Sequence, residues 1–406
     1  MKKTVLIVPA LMALAAVSCT KSEVLESNDG EIRFNVVANN ATKADAIYCN
    51  NNKPSEFTVY AESSDGKTYI NGDKITSPDD GNTWVNESGT RFWPNDLSLD
   101  FYAVVNGDIT WNVEAEGTAP ASIVDFEVPT DVAAQKDLLY AVKTGQEKVD
   151  DADEMDAVAL NFRHALSQIV FNAKNTNANL YVEIKGVTVA NVGGTNSFTY
   201  PSADTANNIE DHTGNGTADY EDGSWGVWNS LNEGDVEYAV ALDAAVAVPG
   251  DDKVVDLTAA NDSGSEFNSK AMMLLPQETQ AWDIENGPAA PGDDTNHGSY
   301  FLVDCAIWNV AGDDFDENTD VQLWGENGAT KELAIPVALK WEQGKKYIYT
   351  FVFGKGNGGY DPDPEDPDGP DPDPVLVPID FEISVDDFVS GGTQEIESGI
   401  PGTQGE

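Results

Sequence analysis

The sequence predicts an all-β protein, two β-sandwich domains in tandem followed by an extended C-terminal strand that stands apart. Three observations carry that reading. Apolar residues alternate with polar ones along most of the chain, the spacing of half-buried strands: Phe57, Val59 and Ala61; Leu97, Leu99, Phe101, Ala103 and Val105; Leu333, Ile335, Val337, Leu339 and Trp341. Turn-forming stretches separate these runs, among them Ser77 to Asn82 and the long Asp/Asn/Gly segments near 203–224 and 286–298. No stretch keeps helical apolar spacing over several turns, and the nearest, Val149 to Val158, is short and acidic.

Composition narrows the function. Of 406 residues, 71 are Asp or Glu and 22 are Lys or Arg, a net charge of −49. A chain this acidic, with no basic cluster, is repelled by phosphate backbones, so nucleic acid is not a partner. Three Cys and three His form no CxxC or HExxH, and there is no GxSxG. A paired-carboxylate site stays open by counting alone, without positive evidence. No cofactor or metal is assigned.

Residues 1–18 read as an export signal, with Lys2 and Lys3 before an apolar run from Thr4 to Val17 that is too short to anchor as a span. Ala16, Val17 and Ser18 stand directly before Cys19 and resemble a bacterial lipobox, which implies lipidation of Cys19. The alternative is an ordinary signal that contains a cysteine. Of the other cysteines, Cys305 lies in phase with Phe301, Val303 and Ile307, so a buried thiol is expected, with a bridge to Cys49 as the lesser reading.

Segment 19–43 carries a first strand, with Ile32, Phe34, Val36 and Ala38 in alternation. Two sandwiches are expected over 44–176 and 177–358, divided at the polar run Asn175 to Asn179. Within Leu160 to Ala173 the apolar phase slips by one, which a β-bulge near Ser167-Gln168 would explain, and a second slip falls at Gly186. A Pro/Asp-rich spacer follows over 359–374, whose stretch DPDPEDPDGPDPDP cannot be core. It is expected to run extended for roughly 40 Å and to hold the last segment, 375–406, away from the body. That segment opens with Val375, Val377, Ile379, Phe381, Ile383 and Val385, an apolar face that needs a partner.

These two ends suggest a mechanism. Basic residues are few, yet Arg33 and Lys43 both lie near the first strand. Cleavage after Lys43 would remove that strand with the anchor and leave an apolar groove, able to accept the last strand of another copy by β-strand addition. A head-to-tail contact of this kind does not close and builds a filament. The alternative is that strand 375–385 folds back into its own sandwich and Lys43 is an ordinary loop residue.

Three further segments bear on identity: Leu160 to Phe171 (LNFRHALSQIVF), Ala271 to Gln277 (AMMLLPQ) and Trp341 to Tyr349 (WEQGKKYIY). With the lipobox they resemble the recurrent segments of the fimbrillin family of Bacteroides-type bacteria, across nearly the whole chain. The resemblance implies a subunit of type V pili with two transthyretin-like β-sandwich domains. It also implies export as an outer-membrane lipoprotein, removal of the first strand by a trypsin-like protease, and polymerisation with copies of itself or related subunits by donor-strand exchange. On that pattern Cys19 is the lipidated residue and Lys43-Ala44 the processing site, with Arg33-Phe34 in reserve. The donor strand is Val375 to Val385, and possession of one favours a stalk subunit in a fimbria that supports adhesion.

His164 shares the phase of Phe162 and Leu166 and reads as a hydrogen-bonded core histidine. Asp211, Thr213, Asn215, Gly216, Asp219 and Asp222 approximate a calcium loop only loosely, and an acidic surface loop is the plainer reading. Trp225 and Trp228 would be a sugar-stacking platform if the chain were instead an anchored surface lipoprotein that binds glycans; packing in a strand is the ordinary alternative.

Overall fold

The structure is a computed structural model, which describes residues 30–38, 54–79, 81–110, 121–149, 156–205, 225–232, 234–258, 271–283, 298–312, 314–362, 374–375, 377–387 and 394–396. Among these residues the one helical element is the 3-10 turn Val132–Ala134; everything else regular is strand. The alternation expected from the sequence is met on the inside. Phe57, Val59, Ala61, Leu99, Phe101, Ala103 and Val105 are buried in one core, and Leu333, Ile335, Val337, Leu339 and Trp341 in another.

A first unit is built on one sheet of seven strands in the order Phe34–Ala38, Val158–His164, Leu139–Gln146, Leu99–Val105, Glu56–Ser63, Lys67–Thr76 and Val85–Asn86. A second unit faces two sheets across a core. One sheet runs Val236–Val248, Leu180–Val192, Tyr300–Asn309, Lys331–Pro336, Gly359–Tyr360 and Pro374–Val375, with Val321–Trp324 added to Tyr300–Asn309. The other runs Val255–Asp256, Ser167–Asn175, Lys345–Phe353, Ile379–Asp387 and Gln394–Ile396, with Met272–Leu274 added to Ser167–Asn175. Phe171, Phe301, Tyr349, Phe351 and Phe381 interlock between them, Phe301 standing edge-on to Phe171 at 5.4 Å. A small sheet of Ser122–Glu127, Thr195–Thr199 and Val227–Trp228 fills the junction, where Tyr140, Phe198 and Tyr200 pack together.

Both phase slips have a structural cause, though only one is a bulge. At Gly186 the pairing with both neighbouring strands shifts between Ile184 and Gly186, and a Cβ there would meet the Val240 carbonyl oxygen at 3.2 Å. The slip near Ser167-Gln168 is instead a change of sheet. Val158–His164 belongs to the first unit and Ser167–Asn175 to the second, where it pairs in parallel with Lys345–Phe353. The buried face changes because the core being faced changes. Sheet membership thus divides the chain at Ala165-Leu166, ahead of the boundary that the polar run Asn175 to Asn179 suggested.

Residues 363–373 of the acidic stretch lie outside the described residues, but its two ends do not stand far apart. Gly359–Tyr360 pairs with Pro374–Val375, and Ile379–Asp387 pairs with Lys345–Phe353 over nine residues. The expectation that the spacer holds the last strand away from its own body is therefore corrected. Closing a short polar loop costs little entropy, and the apolar strand gains a complete edge by folding back.

Candidate functional site

The site is made from the two ends of the chain and the edges that receive them. The first strand is held on both sides. Its start pairs antiparallel with an irregular segment: Ile32 N–H donates to the Arg91 carbonyl at 2.8 Å, and Trp93 N–H to the Gly30 carbonyl at 2.7 Å. Its main body then turns to the opposite edge and pairs in parallel with Val158–His164, Phe34 opposite Val158 and Ala38 opposite Phe162. Gly30, at the start of this segment, takes a φ of +89°, a conformation that favours glycine.

Side chains follow the same logic. Ile32, Phe34 and Val36 point inward, and Val36 is 1 % exposed. The Phe34 ring meets Phe57 at 6.0 Å and Phe101 at 5.8 Å, both edge-on; Trp84, Trp93 and Phe162 surround those two rings. Removing the strand would open a slot with a hydrogen-bonding edge on each side and an aromatic floor.

An ion pair stiffens one wall. Arg91 donates from Nε and Nη2 to the two carboxylate oxygens of Asp73, at 2.7 and 2.8 Å, and Asn86 adds a bond at 2.8 Å. The Arg91 guanidinium holds the Asp73 carboxyl below its ordinary value. This brace was not among the residues singled out from sequence. The signal available was a lone Arg beside Phe92-Trp93 in a chain poor in basic residues.

The last strand lies on its own sheet. Lys345 stands opposite Asp387 and Phe353 opposite Ile379. Val375, Val377, Ile379 and Phe381 are buried, Phe381 edge-on to Phe301 at 5.8 Å, whereas Ile383 and Val385 are only partly covered. In this form the first and last strands belong to different cores.

Arg33 is exposed and its carbonyl accepts from Val158 N–H at 2.7 Å. Cys19, Cys49, Lys43, Ala44 and the loop from Asp211 to Asp222 lie outside the described residues. Among the described residues no group of acids, Cys and His is arranged to hold a metal ion. Cys305 is a buried free thiol, and burial pushes it far above the ordinary thiol range. His164 is half-buried and is hydrogen-bonded through Nδ1 to the buried Asp137 at 2.7 Å. Trp228 is 9 % exposed and gives its Nε1–H to the Ala165 carbonyl at 2.7 Å, while the Arg163 guanidinium covers the Trp225 ring at 3.9 Å. Trp228 is thus packed in its strand, the ordinary alternative to a sugar platform, and Trp225 has a cation over its ring.

The three segments singled out for identity converge on one strand. Ile169 has Met272 opposite it on one side and Tyr347 on the other. Gln343 then ties this region to the junction, accepting from Tyr140 Oη at 3.2 Å and donating to the Gly226 carbonyl at 2.7 Å.

Residues 34–362 match a family model described as fimbrillin-like. Among solved structures, a fimbrial protein from Bacteroides vulgatus is 13 % identical with a TM-score of 0.52, over 89 % of this chain and 100 % of that one. A fimbrial assembly protein from Parabacteroides distasonis is 9 % identical with a TM-score of 0.37, over 90 % of this chain and 98 % of that one. No functionally curated protein matches the chain. The first of these structures has the same all-β fold.

Proposed function

The chain belongs to the fimbrillin-like family, and from that premise we propose that it is a stalk subunit of a cell-surface fimbria that supports adhesion, assembled by donor-strand exchange. As a fimbrillin-like structural protein it is not an enzyme. In this reading the precursor is carried to the outer membrane by lipid on Cys19. A trypsin-like protease then cuts after Lys43, with Arg33 in reserve, and the first strand leaves with the anchor. The last strand of another copy, or of a related subunit, fills the vacated slot.

The observation that carries the reading is the seating of the first strand. It lies wholly on the leader side of Lys43, yet contributes Ile32, Phe34 and Val36 to the core of the first unit and hydrogen-bonds to both adjoining edges. A segment placed before a cleavage site and built into a core leaves a defect that must be filled when it goes. The last strand has the length and apolar face to fill it, and it would have to leave its own sheet to do so.

The test is the N-terminus of protein sheared from intact cells, read by mass spectrometry. The proposal expects a start at Ala44. A lipidated start at Cys19 in the sheared, surface-exposed form would overturn it.

A further inference from the structure

The two ends of the chain carry the same apolar sequence pattern in the same direction. Residues 31–38 read Glu-Ile-Arg-Phe-Asn-Val-Val-Ala, and residues 378–385 read Pro-Ile-Asp-Phe-Glu-Ile-Ser-Val. Both are Ile-x-Phe, then an aliphatic residue and a small or aliphatic one at every second place. Resting on strand exchange as the function, we propose that the last strand of one copy enters the slot of the next in parallel with Val158–His164 and in a single register, with Ile379 at the place of Ile32, Phe381 at Phe34, Ile383 at Val36 and Val385 at Ala38.

Volume selects this register. A shift of two residues, the smallest that keeps the same face inward, puts either Phe381 into the space of Val36 or Ile383 into the pocket of Phe34. The first overfills a site that is 1 % exposed; the second leaves a cavity among Phe57 and Phe101. Reversing the strand also sends Phe381 to the Val36 position.

Backbone and charge agree. At the slot entrance the Ile32 N–H bond to the Arg91 carbonyl passes to Ile379 N–H, and neither entrance bond uses the N–H of Glu31, the position that Pro378 would take. The copy begins at Ile379, since Val377 does not adopt the left-handed φ of Gly30. Continued onward, the pairing brings Asp386 opposite Arg163; on the home sheet Asp386 stands opposite Lys346. Each seat thus sets a basic residue opposite that acidic end, Arg163 being buried with its guanidinium over the Trp225 ring. Ile383, only partly covered at home, takes the place of the fully buried Val36.

Cysteines on the strand face turned away from the aromatic floor test the register; Asn161, on that face, is itself buried and donates to the Thr205 carbonyl at 3.3 Å, so its variant is first checked for an unchanged melting temperature. In it Glu382 falls opposite Ala159, the place now held by Asn35. In full-length chains carrying Cys49→Ser, one copy with Glu382→Cys is mixed with a copy carrying Ala157→Cys, Ala159→Cys or Asn161→Cys, processed with trypsin, oxidised and run without reductant. The register expects the 382–159 crosslink to exceed the other two at least tenfold. Crosslinking mainly to 157 or 161, or polymers with no crosslink to any of the three, overturns the register and leaves strand exchange standing. Absence of polymer in any mixture, including chains with no introduced cysteine, overturns exchange itself and the register with it.

Discussion

Lys174 Nζ lies 2.8 Å from the Glu382 carboxylate, reaching across the strand Lys345–Phe353 that separates them. The pair straps the last strand to its own sheet. Half of it is exposed, so its contribution is about 0.2–1 kcal/mol. Lys174→Ala should therefore release the strand more readily and speed assembly of trypsin-processed subunits up to about fivefold, measured as the rate of appearance of high-mass species. Added salt should erase the difference between variant and parent.

Phe34 makes a second prediction because it is expected to leave. Phe34→Leu shrinks a buried ring and should cost the precursor about 1–3 kcal/mol, seen as a lowered midpoint in urea. After cleavage at Lys43 and assembly, variant and parent should unfold identically, since neither retains the residue. A difference that survives processing would mean the first strand stays.

The Arg91–Asp73 brace gives a pH dependence. The Asp73 carboxyl is held below its ordinary 3.8 by the Arg91 hydrogen bonds. A depressed carboxylate adds stability that is present above 3.8 and is lost as pH falls through its folded value. Asp73→Asn should weaken the precursor by about 1–3 kcal/mol at pH 7. The gap to the parent should persist at mild acidity and close only below the ordinary carboxylate range, as followed by thermal melts across pH.

Glu332 runs the other way. Burial raises its carboxyl above the ordinary 4.5, helped by Asp304, which stands directly opposite on the neighbouring strand, and by Glu237. A raised acid is most favourable below 4.5, and its contribution is lost as pH rises through the folded value. Glu332→Gln should raise the melting temperature at pH 7, with the gain shrinking as the buffer is acidified.

Much of this was legible in the sequence, and the failures have identifiable causes. Alternation located the strands around Phe57, Phe101 and Ile335 because a half-buried strand must alternate. It also marked Ile379 and Phe381 as facing a core, but period two says only that a face is covered, not by which edge; the home seat on Lys345–Phe353 was unreadable. The slip after Leu166 was visible as a phase change, yet a bulge and a change of sheet leave the same trace in one dimension. Arg91 was missed because its role lies in a carbonyl and an ion pair with a residue on another strand, which no local pattern records.

The most direct test of strand exchange compares the parent precursor with the double variant Lys43→Ala, Arg33→Ala after the same trypsin-like treatment. Both substitutions leave the buried faces of the first and last strands unchanged. The account predicts SDS-resistant ladders from the parent and monomer alone from the variant, whose slot stays filled. Monomer from a fully cleaved parent, or equal ladders from both, would contradict it.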